Sequence, residues 1–423
     1  MKTAHIGLLG LGTVGSGVYK TIMAEKANIE HKEKLSLNIK KVLALEYTFD
    51  IPEEQKAAGY DEIIGDKEIS IVIELIGGIN PAKDFILRAL SAGKTVVTAN
   101  KELMARHWPE LNAEAVKNNA GLYFEASVGG GIPILRTIMD SLQANSINSI
   151  LGIINGTTNF ILTKMTEEGG SYTDVLKEAQ ARGYAEANPK NDVEGFDAAY
   201  KLSILASLAF HARVPFEFIY TEGIAKIASE DILYARELGY VIKLLAIGKK
   251  NGHTIEARVH PTMIPFNHPL ANVRGSFNAI FLNGSAVGDL MLYGRGAGDM
   301  PTASAVVSDV INACLLREHK YPSFKNEYEV AKELSFNNNW ESEYFVRIVT
   351  EDKPGVLAAI AGIFAKYNVS IATVIQKGRG DKNVPLIFVT HKANEISIKQ
   401  AIADINYIPQ VIGVSNMIRV ENS

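Results

Sequence analysis

A carboxylate and a lysine lie four residues apart in a stretch with helical character. The sequence from Glu194 onward predicts a helix, and this spacing places Asp197 and Lys201 on one face of it. A lysine beside a carboxylate can hold and relay the proton of a substrate hydroxyl while a hydride leaves the alcohol carbon. The spacing alone fits an ion pair on the surface of a helix equally well.

A loop upstream of this helix carries a third candidate. Gly183 and Pro189 mark residues 184–188 as a loop, and Glu186 lies within it. The carboxylate of Glu186 could bind a substrate ammonium group through a charge-assisted hydrogen bond. Residue types and spacing do not choose between this interpretation and a solvated acidic loop.

A glycine-rich turn near the N-terminus is typical of dinucleotide binding. Gly10-Leu11-Gly12-Thr13-Val14-Gly15 follows a predicted strand and opens a predicted helix. The first glycine allows a tight turn, the second lets the backbone approach a pyrophosphate, and the third permits close helix packing. The helix N-terminus then offers amides and a positive dipole to phosphates. An ordinary strand-to-helix turn is the alternative.

The end of the second predicted strand (39–45) bears on the choice of cofactor. Glu46 follows this strand, where a carboxylate can accept hydrogen bonds from ribose hydroxyls and would repel a 2′-phosphate. No arginine stands at Leu45 or Glu46 to bind that phosphate. The sequence therefore favours NAD over NADP, although a solvated glutamate at a strand end fits as well.

The elements that must position these residues alternate between strands and helices up to about residue 130, which predicts an α/β fold with a Rossmann-type, doubly wound parallel sheet. After that point the pattern of predicted helices and strands no longer alternates, which predicts an α+β region. The C-terminal stretch has the order βαββαβ of a ferredoxin-like domain. The predicted domains are a dinucleotide-binding domain (1–130, completed by a helix at 302–317), a substrate-binding and dimerisation domain (131–301), a linker (318–342) and a C-terminal domain (343–423).

Composition narrows the classes of function. The 423 residues are 47% hydrophobic and 21% charged, which indicates a globular chain. A net charge of −4 without a basic run argues against nucleic-acid binding. Neither a secretory segment nor an apolar stretch of about 18 residues occurs, so we expect a cytoplasmic protein without membrane contact. We predict that Cys314 is a core residue. We interpret His211, His260 and His268 as structural, because they are scattered along the sequence without the spacing of metal ligands.

Taken together, these motifs resemble the homoserine dehydrogenase family, in its monofunctional form with a C-terminal ACT domain. The resemblance runs nearly from end to end and is specific as a set, although the glycine turn alone is not. The motifs that carry it are the turn at Gly10–Gly15, Thr98-Ala99-Asn100-Lys101, the run from Glu125 to Pro133, Asn155-Gly156-Thr157-Thr158-Asn159, Gly183–Lys201, Gly294–Gly298 and Pro301-Thr302-Ala303-Ser304.

The resemblance implies NAD(P)-linked interconversion of L-homoserine and L-aspartate 4-semialdehyde, in threonine and methionine biosynthesis. It implies that Lys201 donates the proton in the reductive direction and that Asp197 contacts the substrate and supports this lysine. Lys101 matches a second lysine lining the site near the nicotinamide. Glu186 matches the residue that binds the substrate amino group, and Asp192 matches a substrate-binding carboxylate in the same stretch.

Further cofactor and metal contacts follow from the same resemblance. Four positions match contacts to the nicotinamide nucleotide: Ile76, Gly77, Gly183 and Gly298. Four more match main-chain carbonyls that hold a monovalent cation, usually Na⁺: Glu125, Val128, Gly130 and Ile132. A simple structural loop is the alternative for this last set. The sequence departs from many relatives, which carry Arg near Leu45 and Asp in place of Asn188, so a preference for NADP is not carried over.

The C-terminal domain resembles the ACT amino-acid-binding fold. Its first loop contains Asp352, Gly355 and Val356, and Asn368 and Ile371 lead into its second strand. The resemblance implies that these residues contact an effector, and we expect L-threonine. ACT units usually pair between chains, which implies a homo-oligomer, either a dimer or a tetramer. A dimerisation module without an effector is the alternative.

Two other functions remain open at this stage. A dehydrogenase for another small hydroxy acid would share the cofactor turn but would have no need of Glu186 to bind an ammonium group. A non-catalytic protein that senses NAD and an amino acid would have no reason to keep Asp197 and Lys201 on one helical face.

Overall fold

The computed structural model describes residues 1–47, 49–316, 318–322, 324, 334–377 and 383–422. The chain divides into two compact units, each assembled from three separate segments. The first unit consists of Met1–Gly156, Asp197–Ile219 and Phe277–Leu334, and the second of Thr157–Phe196, Tyr220–Ser276 and Ser335–Ser423.

The strands and helices of the described residues are numbered here in chain order. The strands are β1 (Lys2–Leu9), β2 (Leu35–Leu43), β3 (Ile69–Glu74), β4 (Thr95–Thr98), β5 (Leu122–Tyr123), β6 (Ile147–Ile153), β7 (Tyr220–Thr221), β8 (Tyr240–Asn251), β9 (Thr254–Pro265), β10 (Phe277–Gly284), β11 (Gly288–Arg295), β12 (Ser335–Phe336), β13 (Glu341–Glu351), β14 (Ile371–Gln376), β15 (Asn383–Thr390), β16 (Ala393–Asn394) and β17 (Val411–Val420). The α-helices are α1 (Thr13–Ala24), α2 (Lys26–Glu33), α3 (Tyr60–Gly65), α4 (Ala82–Ser91), α5 (Lys101–Lys117), α6 (Ile134–Arg136), α7 (Gly156–Glu168), α8 (Tyr172–Ala181), α9 (Lys190–Val193), α10 (Phe196–Phe210), α11 (Ser229–Glu237), α12 (Asp299–Leu315), α13 (Val356–Lys366) and α14 (Glu395–Ile405).

The first unit is built on a parallel sheet of five strands in the order β2-β1-β3-β4-β5. Every neighbouring pair in it is parallel, and strands β3 and β4 are buried except at Ser70, as is typical of the interior of a parallel sheet. This confirms the predicted Rossmann-type sheet. The unit also contains an antiparallel set in which β10 pairs with both β6 and β11.

Helix α12 packs closely on α1 within the first unit. A Cβ atom on Gly17 would lie 2.7 Å from the carbonyl oxygen of Asp299, so this contact requires glycine. Ala303 and Val306 of α12 share the apolar core of β1 and β3, and Cys314 is buried there too. We expected this helix at 302–317. It begins earlier, at Asp299, and residue 317 lies outside the described residues.

The segment after the fifth strand begins as an α-helix but does not continue as a regular one. Helix α6 has only three residues and continues as a π-helical turn at Thr137–Ser141. The backbone N–H of Leu142 donates to the carbonyl of Thr137 at 3.0 Å, which is the five-residue spacing of a π-turn. A single wide turn of this kind leaves no periodic signal in the sequence.

The second unit contains the C-terminal domain and a long antiparallel pair, β8 and β9. The four strands of the βαββαβ order lie side by side as β17-β13-β15-β14. Helices α13 and α14 supply the core of this sheet, with Ile360, Phe364 and Ile398 fully buried. The ferredoxin-like prediction is therefore confirmed.

The sequence predicted a linker at 318–342, and residues 323 and 325–333 of it lie outside the described residues. At its C-terminal end, Ser335–Phe336 form β12, which pairs with β9, and β13 begins at Glu341. In the part of the chain that the structure describes, no helix has the length and apolar character needed to cross a membrane.

Candidate active site

Helix α10 carries the predicted acid–base pair, and it is buried along nearly its whole length. Asp197 lies in its first turn and is 4% exposed, and Lys201 follows one turn later at 8% exposure. The two side chains lie on one face, as predicted, with Lys201 Nζ 2.7 Å from Asp197 Oδ2. Their burial excludes the alternative of an ion pair on a helix surface.

A second lysine reaches the same carboxylate from the parallel sheet. Lys101 begins α5 directly after the carboxyl end of β4, and Asn100 caps this helix by accepting a hydrogen bond from the N–H of Leu103. Lys101 Nζ lies 2.8 Å from Asp197 Oδ1. The first unit thus brings Lys101, Asp197 and Lys201 together, although they come from distant parts of the chain.

Two further groups from the first unit complete the surroundings of this cluster. The carbonyl of Ile154 accepts a hydrogen bond from Lys201 at 2.9 Å. Asn155 Nδ2 donates to Asp197 Oδ2 at 2.8 Å. The positions of Lys201 and Asp197 are therefore set by a main-chain carbonyl and an amide group as well as by charge.

Electrostatics keep the central carboxylate ionised. Burial by itself would raise the pKa of Asp197, but the ammonium groups of Lys201 and Lys101 outweigh it and hold this pKa below its ordinary value. Two ammonium groups around one carboxylate leave the cluster positively charged. Such a cluster can stabilise negative charge that develops on a substrate oxygen, and it can supply a proton to that oxygen.

The glycine turn has the local geometry of a pyrophosphate site. Gly10 has φ +92°, and a Cβ on Gly15 would lie 2.1 Å from the carbonyl oxygen of Gly10, so both positions require glycine. A Cβ on Gly12 would instead meet nothing within 4 Å. Gly12 precedes α1 and has no side chain that could cap the first amides of this helix. The turn therefore fits a dinucleotide, and Gly12 leaves the room for it.

The other predicted cofactor residues of the first unit lie on loops. Ile76 and Gly77 follow β3, where Ile76 is 38% exposed and Gly77 has φ +81°. Gly298 has φ +119° and precedes α12. Glu46 is exposed and lies beyond the end of β2, which stops at Leu43, two residues earlier than predicted. The Leu43 carbonyl accepts the N–H of Gly10 at 2.8 Å.

The structure adds two residues that sequence reasoning missed. Glu74 ends β3 with 0% exposure, and its Oε1 accepts hydrogen bonds from the N–H groups of Ile76 at 2.8 Å and Gly77 at 3.3 Å. Its Oε2 accepts the hydroxyl of Thr98 at 2.7 Å. The Thr98 oxygen in turn accepts the N–H of Asn100, next to Lys101.

Glu74 and Thr98 therefore tie the loop of the expected cofactor contacts to the turn that carries Lys101. One signal in the sequence pointed to Glu74, which is a single acidic residue at the end of an otherwise apolar strand. A buried carboxylate at the end of a strand needs hydrogen-bond partners, and the groups available to it are those that follow the carboxyl ends of neighbouring strands.

The predicted substrate loop belongs to the second unit. Gly183 has φ +75°, and Glu186 is exposed with its carbonyl accepting Gln180 Nε2 at 3.1 Å. Asp192 is partly buried in α9, with its Oδ2 3.3 Å from the hydroxyl of Thr157. That hydroxyl lies 2.6 Å from the carbonyl of Tyr184. Thr157 thus links Asp192 to the loop that presents Glu186.

The residues expected to bind a cation form a bent, buried loop. Glu125 begins a 3-10 turn, and Gly129 and Gly130 have φ +76° and +55°. The carbonyls of Glu125 and Ile132 accept backbone N–H groups from Val128 and Ile134. The Glu125 side chain accepts the N–H groups of Leu135 and Arg136. Among the residues with described positions, no group of three His, Cys, Asp or Glu side chains could hold a metal ion.

The five predicted effector residues lie at two ends of one helix. Gly355, with φ +90°, precedes α13, and Asp352 accepts a hydrogen bond from Gln376 at the end of β14. Asn368, with φ +56°, and Ile371 follow the other end of α13. Val356 is buried at the first position of the helix. An 11-residue helix is about 16 Å long, so one copy of this domain does not gather the five residues.

Comparison with known proteins gives full-length matches. Models of protein families match as "Homoserine dehydrogenase, NAD binding domain" over residues 10–125, "Homoserine dehydrogenase" over 133–311 and "ACT domain" over 344–410. The homoserine dehydrogenase of Bacillus subtilis is 41% identical, covering 100% of this chain and 99% of its own. That of Neisseria gonorrhoeae is 43% identical with the same coverage. A crystal structure of a homoserine dehydrogenase from Thiobacillus denitrificans has a TM-score of 0.92 at 39% identity, covering 100% of this chain and 99% of its own.

The Rossmann-type sheet, the glycine turn and the lysine–carboxylate cluster define an NAD(P)-dependent oxidoreductase. The full-length matches make the assignment specific, and the chain belongs to the homoserine dehydrogenase family with a C-terminal ACT domain. This excludes the dehydrogenase for a different hydroxy acid and the non-catalytic sensor.

Proposed function

We propose that the enzyme interconverts L-homoserine and L-aspartate 4-semialdehyde through the cluster of Lys201, Asp197 and Lys101. The observation that carries this proposal is that two lysines contact opposite oxygens of the buried Asp197. When bound, the nicotinamide supplies or accepts the hydride. The remaining chemistry is movement of a proton at the substrate oxygen, which the cluster performs.

In the reductive direction Lys201 gives a proton from its ammonium group to the developing alkoxide, which becomes the hydroxyl of homoserine. Asp197 keeps Lys201 protonated and oriented before this step. Lys101 stabilises the negative charge on the same oxygen before the proton moves. In the oxidative direction Lys201 takes the hydroxyl proton back, so protons balance in both directions.

Substrate recognition uses the loop of the second unit. Glu186 binds the α-ammonium group of homoserine, and Asp192 holds this loop and contributes to the same polar site. The exposure of the Glu186 side chain on a loop tied down by Thr157 supports this role. Initial rates with homoserine, malate and lactate test the assignment. Turnover of homoserine alone is expected, and equal turnover of malate would contradict the role of Glu186.

For the cofactor, Glu46 favours NAD over NADP. Its place just beyond β2 supports this, because the Leu43 carbonyl contacts the glycine turn and so brings the end of β2 beside the dinucleotide site. Initial rates with NAD and NADP, for the wild type and E46A, test the preference. We expect the wild type to have a higher kcat/KM with NAD than with NADP, and E46A to reduce this difference. A strong preference of the wild type for NADP would refute the role of Glu46.

A monovalent cation, Na⁺ in the first instance, binds the main-chain carbonyls of Glu125, Val128, Gly130 and Ile132. The positive φ angles of Gly129 and Gly130 support this, because they bend the backbone as oxygen coordination by a loop requires. Thermal unfolding in NaCl against equal choline chloride tests the site. A higher midpoint in NaCl is expected, and equal midpoints would leave the loop purely structural.

The ACT domain binds L-threonine as a feedback effector at an interface between two copies of the chain, in a dimer or tetramer. The separation of the predicted effector residues along α13 supports a shared site rather than one within a single domain. Light scattering gives the oligomeric state, and initial rates with and without threonine give its effect. A monomer, or rates unchanged by threonine, would favour a plain dimerisation module without an effector.

A further inference from the structure

Strand β17 of the ACT domain joins the sheet of the second unit directly. It pairs in parallel with β9, with Arg419 opposite Thr262 and Val420 opposite Met263. Strand β7 pairs with the same β9 further along, with Thr221 opposite Val259. A single continuous sheet therefore carries both the ACT domain and the segment that begins at Tyr220.

Arg419 connects these two parts through its guanidinium group, and it is 1% exposed. Its Nη1 lies 2.5 Å from Glu222 Oε2, and its Nη2 donates to the hydroxyl of Tyr220 at 2.9 Å. The same guanidinium binds Glu395 of α14 with Nη2 and Nε. Tyr220 also donates to Glu222 at 2.8 Å. Arg419 is thus held in position by Glu395 of the ACT domain and in turn binds Glu222.

The same segment is held a second time at Asp231, nine residues after Glu222. Arg347 of β13 contacts the fully buried Asp231 with Nε 2.6 Å from Oδ1. Asn416 of β17 donates to Asp231 Oδ2 at 2.7 Å and to the carbonyl of Lys226 at 3.2 Å. Residues 220–231 are therefore fastened to the ACT strands near both of their ends.

Between these two anchors, the segment supports the turn that follows the substrate loop. The N–H of Ile224 donates to the carbonyl of Val193 at 2.8 Å. A Cβ on Gly223 would lie 2.2 Å from that carbonyl oxygen and 2.6 Å from the Cα of Glu194, so the two backbones are in direct contact. A Cβ on Gly195, which has φ +86°, would lie 3.2 Å from Cγ2 of the Thr221 side chain and 3.5 Å from the carbonyl oxygen of Glu222.

Val193 is the last residue of α9, the helix that contains Asp192. The N–H of Val193 donates to the carbonyl of Pro189, at the end of the loop that contains Glu186. Backbone contacts without an intervening flexible side chain transmit displacement efficiently, because packed interiors are nearly incompressible. A shift of Glu222 therefore moves the turn at 193–195 and, through it, the substrate loop.

We propose that the contact between Arg419 and Glu222 makes the ACT domain a positioning element for homoserine binding. Arg419 and Glu222 are positioning residues in this role, since they act through the turn at 193–195. The inference rests on the proposed role of Glu186 and Asp192 in binding the substrate. It assigns to the ACT domain an effect on the affinity for homoserine, with no effect on cofactor binding or on proton transfer.

Steady-state kinetics of the full-length enzyme with the variant E222A tests this inference. We expect the KM for homoserine to rise at least fivefold, while the KM for NAD(P) and kcat stay within twofold of the wild type. E222Q keeps an oxygen acceptor for Arg419 and Tyr220, so it should recover most of the affinity. A residue with a purely structural role would lower the unfolding temperature without this separation of the two KM values.

E256A is the matched control. Glu256 is 22% exposed at its side chain, against 28% for Glu222, and it also pairs with a buried arginine, Arg258, at 2.6 Å. Among the residues with described positions, its side chain contacts Arg258 and Asn337 and not the turn at 193–195. Its KM for homoserine should therefore equal that of the wild type. An equal rise in E222A and E256A would overturn the inference.

Two further variants keep the result unambiguous. If E222A does not fold, Y220F removes the hydroxyl that bridges Arg419 and Glu222 and should still raise the KM for homoserine at least twofold. An unchanged KM for homoserine in the folded variant overturns the inference. E186A tests the underlying proposal separately, because an unchanged KM in E186A overturns the role of Glu186, whatever E222A shows.

Discussion

Lys201 Nζ lies 2.7 Å from Asp197 Oδ2, one helical turn away along α10. A pair at this spacing on an exposed helix contributes only about 0.3–0.5 kcal/mol. Here both side chains are buried and Lys101 binds the other carboxylate oxygen, so the same spacing creates a charged cluster in a low-dielectric environment. Burial therefore turns an ordinary helical pair into a group that can hold and move a proton.

Replacing Lys201 by alanine should lower kcat by about 100-fold or more, because the proposed proton donor is lost while the glycine turn at Gly10–Gly15 is untouched. Initial rates and cofactor titration by nicotinamide fluorescence measure the two effects separately. K94M is the control, since Lys94 is also buried and donates to the carbonyls of Asp66 and Ile69. K94M should lower the unfolding temperature and retain turnover of the folded fraction. Unchanged kcat in K201A would remove Lys201 from the mechanism.

Replacing Asp197 by asparagine should destabilise the protein in a pH-dependent way. The pKa of Asp197 is held below its ordinary value of 3.8 in the folded chain. The stabilisation by its ionised form is therefore present above about pH 4 and is lost as the pH falls through the lower, folded-state pKa. The difference in unfolding temperature between wild type and D197N should stay constant from pH 8 to 5 and shrink below pH 4.

The exposed Asp61, with a side-chain exposure of 87%, supplies the control for this experiment. D61N should unfold at the wild-type temperature at every pH, because an exposed ion pair contributes little. A difference between wild type and D197N that disappears already at pH 6 would contradict the assigned charge state of the cluster.

Two glycines of the cofactor turn should respond to alanine in opposite ways. In G12A the added methyl group enters open space, so the fold should be retained while the KM for the cofactor rises tenfold or more. In G15A the methyl group would lie 2.1 Å from the Gly10 carbonyl, so the unfolding temperature should fall. Calorimetry and cofactor titration of both variants measure this contrast. Equal destabilisation by G12A and G15A would argue against a dinucleotide at Gly12.

Thr98 offers a test of the buried hydrogen bonds around Glu74. T98V keeps the shape of the side chain but removes the hydroxyl that donates to Glu74 and accepts from Asn100. We expect a lower kcat and a higher KM for the cofactor. Glu74, which binds the loop at 76–77, loses one hydrogen bond, and the N–H of Asn100 before Lys101 loses its acceptor. T98S retains the hydroxyl and should behave like the wild type. If T98V and T98S have the same kinetics, the hydroxyl has no role.

Much of the fold was predictable because its signals are local. Gly10 to Gly15 between an apolar strand and a helix predict a parallel sheet with a phosphate-binding turn. The end of β2 was predicted two residues too late, because the apolar run continues to Leu45. The π-turn at Thr137–Ser141 was not predictable, because the local pattern does not reveal the hydrogen bond from the N–H of Leu142 to the carbonyl of Thr137.

The candidate site divides in the same way. The spacing of residues along the chain was enough to place Asp197 and Lys201 on one helical face, because the geometry of a helix is fixed by its backbone. Packing in three dimensions was needed to show that this face is buried, that Lys101 reaches the same carboxylate, and that Glu74 binds the loop at 76–77. These are contacts between residues far apart in the chain, and they form because burying charge requires a partner that the packing of other elements must supply.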